Sequence, residues 1–245
     1  MRIDILTLFP DMLEAVLKES IIGRAAERKL VELEFHNIRD YTENKHRKVD
    51  DYPYGGGLGM VMQCQPVFAA AEAVNSKLGK KPYTILMSPQ GKTFNQAKAR
   101  KLSTYENLMI ICGHYEGIDE RVTEALVDEE ISIGDFVLTG GEIAAMAIVD
   151  ATCRLIPGVL KEDASYLVES FGEGLLEFPQ YTRPPEFMGM EVPEVLLSGH
   201  HENIEKWRRY QSLKRTYEKR PELLFEADLS KEDLKLLDNI KKECK

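Results

Sequence analysis

Leu108-Met109-Ile110-Ile111-Cys112 runs directly into Gly113-His114-Tyr115-Glu116-Gly117. Five apolar residues without a polar break suit a strand buried on both faces, the pattern of a parallel sheet flanked by helices. Ile3–Leu8 and Tyr83–Met87 read the same way, and a mixed run at Val31–Ile38 and a shorter one at Asp135–Leu138 also read as extended. Helical patterns lie between them: Pro10–Lys18 with its leading proline, Gln65–Leu78, Phe94–Leu102, Ile118–Val127 and Gly140–Ile156. The alternation predicts an α/β domain over residues 1–160 with a mostly parallel sheet, where ligands bind at the carboxyl ends of strands.

Those strand ends carry glycine. Ser88-Pro89-Gln90-Gly91 follows one, Gly113–Gly117 a second, and Thr139-Gly140-Gly141-Glu142 follows Ile131–Leu138. Glycine lets a ligand approach backbone amides and carbonyls, so three such loops point to one shared pocket. Neither common nucleotide fingerprint fits. Gly91-Lys92-Thr93 imitates the end of a phosphate-binding loop, but Leu86 stands where its first glycine belongs. Gly55-Gly56-Gly57-Leu58-Gly59 has the wrong spacing for a dinucleotide turn and lacks its strand–helix setting.

Beyond Pro157-Gly158 the pattern breaks, and residues 161–178 read as a flexible interdomain linker. Residues 179–245 read as a small helical domain: a Pro-rich stretch with Pro184-Pro185, then helices at Glu202–Lys219 and Lys231–Glu243. Ser230 and Asp233 form a capping box for the last helix. The net charge of −9 taken alone argues against a nucleic-acid binder, but phosphate contacts are local. Lys206–Arg220 holds seven basic residues against one acid, Glu218, and Lys45-His46-Arg47-Lys48 forms a smaller basic cluster. Trp207, Tyr210, Leu213 and Tyr217 are spaced as the packed face of the first tail helix.

The 245 residues, 43% of them hydrophobic, suffice for a sizeable core, and no apolar run is long enough for a membrane span. Four scattered cysteines without a CxxC indicate neither a disulfide frame nor a zinc site, which fits a reducing cytoplasm. His200-His201 lack a third ligand on their helix face, so they are not read as a metal site.

The chain resembles the bacterial tRNA (guanine-N1)-methyltransferases. The likeness rests on blocks in family order, among them Leu6-Thr7-Leu8-Phe9-Pro10, Lys45-His46-Arg47-Lys48-Val49-Asp50-Asp51, Pro53-Tyr54-Gly55-Gly56-Gly57, Ser88-Pro89-Gln90-Gly91, Gly113-His114-Tyr115-Glu116-Gly117-Ile118-Asp119-Glu120-Arg121, Ile133–Glu142, Pro157-Gly158-Val159-Leu160 and Gln180-Tyr181-Thr182-Arg183-Pro184. It implies a SPOUT-type α/β fold with a deep trefoil knot, a topology that periodicity cannot reveal. It also implies a homodimer with active sites at the subunit interface, and methylation of N1 of the guanosine immediately 3′ of the tRNA anticodon.

By that resemblance S-adenosylmethionine is held by Leu86, Met87, Ser88 and Pro89, by Gly113, Tyr115 and Glu116, and by Ile133, Gly134, Asp135, Phe136, Val137, Leu138, Gly140 and Gly141. Guanine N1 carries a proton and is a poor nucleophile, so the reaction needs a base there and a cation for the charge growing on O6. The resemblance assigns these roles to Glu169, where the family commonly has aspartate, and to Arg154. It places His46, Arg47, Asp50 and Gly59 on the tRNA side of the site and suggests a Mg2+ requirement. Arg208, Arg209, Lys214 and Arg215 on the tail helix are the candidate phosphate contacts. A SPOUT enzyme acting on ribosomal RNA or a ribose hydroxyl, and a non-catalytic RNA-binding relative, are the competing expectations.

Overall fold

The computed structural model describes residues 1–161 and 169–243, which divide into two compact units, Met1–Asp163 and Ala164–Lys245. The first unit runs β1 (Arg2–Thr7), α1 (Pro10–Leu17), α2 (Ser20–Glu27), β2 (Glu32–Asn37), β3 (Asp50–Asp51), β4 (Val61–Met62), α3 (Cys64–Leu78), β5 (Tyr83–Thr93), α4 (Gln96–Ser103), β6 (Asn107–Cys112), α5 (Glu120–Leu126), β7 (Glu129–Ser132) and α6 (Glu142–Cys153). The main sheet has the order β2-β1-β6-β5-β7, and every recorded pairing in it is parallel. β3 and β4 form a separate antiparallel pair.

Side chains alternate across a strand, so the apolar runs feed two cores at once. Ile3, Ile5, Ile85, Leu108 and Ile110 pack with Leu13, Leu102, Ile148 and Val149 on one face. Leu6, Leu86, Met109 and Ile111 pack with Val67, Ala70, Val74 and Val122 on the other. Each fully buried side chain of this size contributes roughly 1.5–3 kcal/mol as an upper figure. Local signals place the helices between them. Pro10 opens α1, while the side chains of Asn95 and Asp119 accept N–H groups at the starts of α4 and α5.

Three parts depart from the expectation. Residues 135–138 are not a strand: the edge strand is Glu129–Ser132, and Phe136 turns back to donate its N–H to the Gly134 carbonyl. The apolar residues that suggested extension, Phe136, Val137 and Leu138, are exposed. The helix Ser20–Glu27, which contains Gly23, was not expected from the sequence. A Cβ there would lie 2.0 Å from the Lys18 carbonyl oxygen, so glycine is what lets α2 follow α1 so closely. β5 also runs on to Thr93 rather than ending at Met87.

The second unit holds a short antiparallel pair, β8 (Glu186–Phe187) and β9 (Met190–Glu191), then α7 (Glu194–Leu197), α8 (His201–Lys219) and α9 (Lys231–Glu243). Leu213, Leu237 and Ile240 form its small core with Leu175, and Tyr210 and Tyr217 pack against it. Residues 169–178, expected as the end of a linker, take part in this packing: Leu175 is buried, and Leu176 donates its N–H to Thr216 Oγ1 at 2.9 Å. Residues 162–168 of the expected linker lie outside the described residues. Of the expected aromatic stripe, Trp207 stands apart from the core and meets Tyr181, ring centroids 6.3 Å apart. Among the described residues no helix is long and apolar enough to cross a membrane.

The capping box forms in both directions. Ser230 Oγ accepts the Asp233 N–H at 3.1 Å, and Asp233 accepts the Ser230 N–H at 2.9 Å. Asp233 also accepts two hydrogen bonds from the Arg209 guanidinium, at 2.8 and 2.9 Å. With Arg209 as the main cause, its carboxyl is lowered to about 2. A lowered carboxyl contributes stability that is complete above its ordinary value of 3.8 and disappears as pH falls through the folded value. Acid titration followed by tail-helix circular dichroism should therefore show α8 and α9 separating between about pH 4 and pH 2. Asp233→Asn should remove that step and lower stability at neutral pH by roughly 2 kcal/mol.

Candidate functional site

Three loops meet at the carboxyl ends of β5, β6 and β7. The first is an excursion within β5. Ile131 of β7 pairs with both Met87 and Lys92, so Ser88–Gly91 are looped out between two paired stretches. Gly91 permits the return, since a Cβ there would lie 2.4 Å from the Glu130 backbone. The second loop, Gly113–Ile118, is tied to β4: Glu116 donates its N–H to the Met60 carbonyl at 3.0 Å, and Met62 donates to the Gly117 carbonyl at 2.9 Å. Tyr115 there adopts the left-handed region, with φ 61°. The third loop, Ile133–Gly141, is joined to the second. Gly141 donates its N–H to the Gly113 carbonyl at 3.0 Å, and His114 and Gly140 form an antiparallel bridge.

The loops enclose a cleft of about 310 Å³. All the residues expected at the donor line it except Asp135: Leu86, Met87, Ser88, Pro89, Gly113, Tyr115, Glu116, Ile133, Gly134, Phe136, Val137, Leu138, Gly140 and Gly141. Leu86, Met87, Ile131 and Ala144 supply apolar surface, while loop backbone and Ser88, Ser132 and Thr139 supply polar groups. An apolar wall with a few polar groups suits a flat heterocycle bearing polar substituents. Sequence reasoning missed His114, Gln90, Glu130 and Thr139 among the lining. His114 stood inside a quoted block, but its partner Glu142 is 28 positions away. Cys112, beneath the cleft, is fully buried, and burial with nearby Glu142 pushes its thiol well up, so it acts as core.

Two of the cleft glycines, Gly113 and Gly141, differ in what surrounds them. A Cβ on Gly141 would lie 2.9 Å from Cys112 Cα and 3.0 Å from Met87 Cβ, so backbone must move. A Cβ on Gly113 would make ordinary contact with Ile118 at 3.5 Å. Gly141→Ala should therefore lower thermal stability by about 1–3 kcal/mol as well as weaken ligand binding. Gly113→Ala should keep the melting temperature, and calorimetry on it reads the cleft alone.

The residues expected on the tRNA side are brought to the same loops in part. A Cβ on Gly59 would meet the Glu116 side chain at 2.5 Å, which places that turn against the cleft wall. Asp50 sits in β3, opposite Met62. Arg47 is exposed and ion-paired with Asp40, and exposed His46 donates its backbone N–H to Asn44. Arg39, not singled out by the sequence, reaches Tyr115 OH at 3.3 Å. Glu116 has no metal cluster around it: among the described residues no group of three or more His, Cys, Asp or Glu is gathered to hold an ion.

Arg154 follows α6, half-buried, with its N–H donated to the Asp150 carbonyl. Glu169 belongs to the second unit, half-buried at a turn closed by the Gly172 N–H on its carbonyl. On α8 the four expected cations divide. Arg209 is committed to Asp233 and to Glu173, and Arg208 lies over the Phe178 ring at 4.8 Å and pairs with Glu205. Lys214 and Arg215 are half-buried and make no ion pair among the described residues.

Residues 1–226 match the family model described as tRNA (Guanine-1)-methyltransferase TrmD. The chain is 60% identical over 223 residues to a protein of Ruminiclostridium cellulolyticum named tRNA (guanine-N(1)-)-methyltransferase, covering 91% of this chain and 96% of that one. Proteins of the same name from Halalkalibacterium halodurans and Dehalococcoides mccartyi are 56% and 57% identical. They cover 99% and 98% of this chain and 99% and 97% of their own.

Proposed function

The chain belongs to the tRNA (guanine-1)-methyltransferase family, and from that premise we propose that it methylates N1 of the guanosine immediately 3′ of the anticodon, using S-adenosylmethionine. The family match over residues 1–226 carries this reading. It favours tRNA over ribosomal RNA, and base over ribose, because the relatives' name specifies both. The three-loop cleft supports the cosubstrate, since its apolar surface and loop amides suit an adenosyl group. The expected SPOUT knot belongs to this reading too, supported by the parallel sheet and by two cleft loops tied backbone to backbone.

S-adenosylmethionine supplies the methyl group as an electrophile. The protein's part is to hold the guanine edge toward it, remove the N1 proton and offset charge on O6. Glu169 is the proposed base, and Arg154 the proposed cation. Gly59 and Asp50, which lie beside the second loop, support a tRNA-facing rim with His46 and Arg47. Lys214 and Arg215 are the proposed phosphate contacts of the tail. No step is assigned to Mg2+, because Glu116 alone does not make an ion site.

A homodimer with shared active sites is part of the proposal. Phe9, Met12, Val16 and Ile143, around α1 and the start of α6, expose apolar surface that a second copy would cover. Sedimentation at micromolar concentration tests it. We place the enzyme in the cytoplasm with its substrate. The function is tested by methyl transfer to an unmodified transcript carrying guanosine 3′ of the anticodon. Mass spectrometry should locate one N1-methyl group there. Equal transfer to a transcript lacking that guanosine would overturn the reading.

A further inference from the structure

His114 lines the cleft but has no role in the scheme above. Its Nε2 lies 2.7 Å from Glu142 Oε2, and Glu142 is only 2% exposed. The other carboxylate oxygen, Oε1, accepts a hydrogen bond from the Thr7 hydroxyl at 2.6 Å. That hydroxyl accepts the Phe9 N–H at 2.9 Å, so its own proton is directed to Glu142. An amide N–H only donates and a carboxylate only accepts, so the direction of the whole chain is set. The nitrogen that faces Glu142 therefore carries a proton, and in the neutral imidazole Nδ1 keeps its lone pair.

The ring is held as well as oriented. A Cβ on Gly140 would lie 2.2 Å from His114 Cε1 and Nε2, and Phe9 packs against the imidazole with centroids 4.8 Å apart. The backbone bridge to Gly140 fixes the residue where the second and third loops meet. Nδ1 has no hydrogen-bond partner among the described residues and is not sealed from solvent. A fixed acceptor at that point suits a ligand that presents N–H or O–H groups.

We propose that His114 binds the methyl donor directly: Glu142 and Thr7 hold it as the Nε2–H tautomer, and Nδ1 accepts a hydrogen bond from a hydroxyl or amino group of S-adenosylmethionine. The proposal rests on the reading of the cleft as the donor site. His114 and Glu142 thus form a unit, one touching the ligand and the other acting through it.

The test combines nitrogen NMR of the histidines with calorimetry using S-adenosylmethionine. In the wild-type protein the His114 resonances should show Nε2 protonated and Nδ1 bare, and Nδ1 should shift when the donor is added. His114→Gln can still donate to Glu142 through its amide nitrogen, but its carbonyl oxygen does not reproduce the position and direction of the Nδ1 lone pair. It should bind the donor about tenfold more weakly, with its melting temperature and tRNA affinity retained. Glu142→Gln lets an amide N–H face Nε2, which moves the ring proton to Nδ1. The same loss of donor affinity should accompany that change in the spectrum.

Wild-type donor affinity in His114→Gln would overturn the proposal, as would a protonated Nδ1 in the wild-type spectrum. A loss confined to tRNA affinity would make His114 an RNA contact and overturn it too. Failure of the wild-type protein to bind S-adenosylmethionine at all would fell the donor reading itself, and this proposal with it.

Discussion

Glu169→Gln is expected to lower single-turnover methyl transfer by about 10²–10⁴-fold while S-adenosylmethionine and tRNA bind as in the wild type. The amide keeps the size and polarity of the side chain but cannot take the N1 proton. Glu169→Asp should retain activity, because what the proposed chemistry requires is a carboxylate and aspartate supplies one. Arg154→Ala should also lose rate, since charge growing on O6 then lacks its cation. Rapid-quench transfer with enzyme in excess isolates the chemical step. Wild-type rates in Glu169→Gln would exclude it as the base. Asp163, the next acid to examine, lies outside the described residues.

The second large effect concerns RNA affinity. Reversing Lys214 and Arg215 to glutamate should weaken tRNA binding roughly ten- to hundredfold at 0.1 M salt. It should also lower the slope of log affinity against log salt by about 2, one for each phosphate no longer neutralised. Arg209 must be left alone in this experiment. Its reversal would set a second acid beside Asp233, already the acceptor of two of its hydrogen bonds, and would disrupt α8 and α9 rather than report on RNA. Arg208→Glu would similarly mix charge with the lost stacking on Phe178. A filter-binding series from 50 to 300 mM salt with an unchanged slope would make the basic face of α8 a solvated one.

What the sequence made legible follows from the range of the forces involved. Apolar runs such as Leu108–Cys112 announce buried strands because both faces must be covered. Proline announces a helix start because its ring presets φ and its missing N–H is no loss there, while asparagine and aspartate do so because their side chains accept nearby backbone N–H groups. The glycine loops were legible for a similar local reason, and the structure gathers them around one cleft. Features set by distant partners were not. Glu129 and Glu130 disguise an edge strand, one of whose acids is answered by Lys98 and Tyr83 far away in the chain. Gly23 is accounted for only once the Lys18 carbonyl is seen against it. Arg209 looked like a phosphate ligand because its partner Asp233 lies 24 positions on, in another helix.

The excursion in β5 has a consequence for how such a pocket changes over evolutionary time. Ile131 faces Met87 on one side of the loop and Lys92 on the other, so the strand leaves and re-enters its pairing at the same point. Residues inserted or deleted between those two would not carry a register shift into β7, whereas a single insertion elsewhere in β5 would turn every following side chain to the wrong face. The depth of the cleft's first wall is thereby free to drift while the sheet stays as it is. Gly91, whose missing side chain lets the chain come home, restrains such drift, as do Ser88 and Pro89 where they line the cleft.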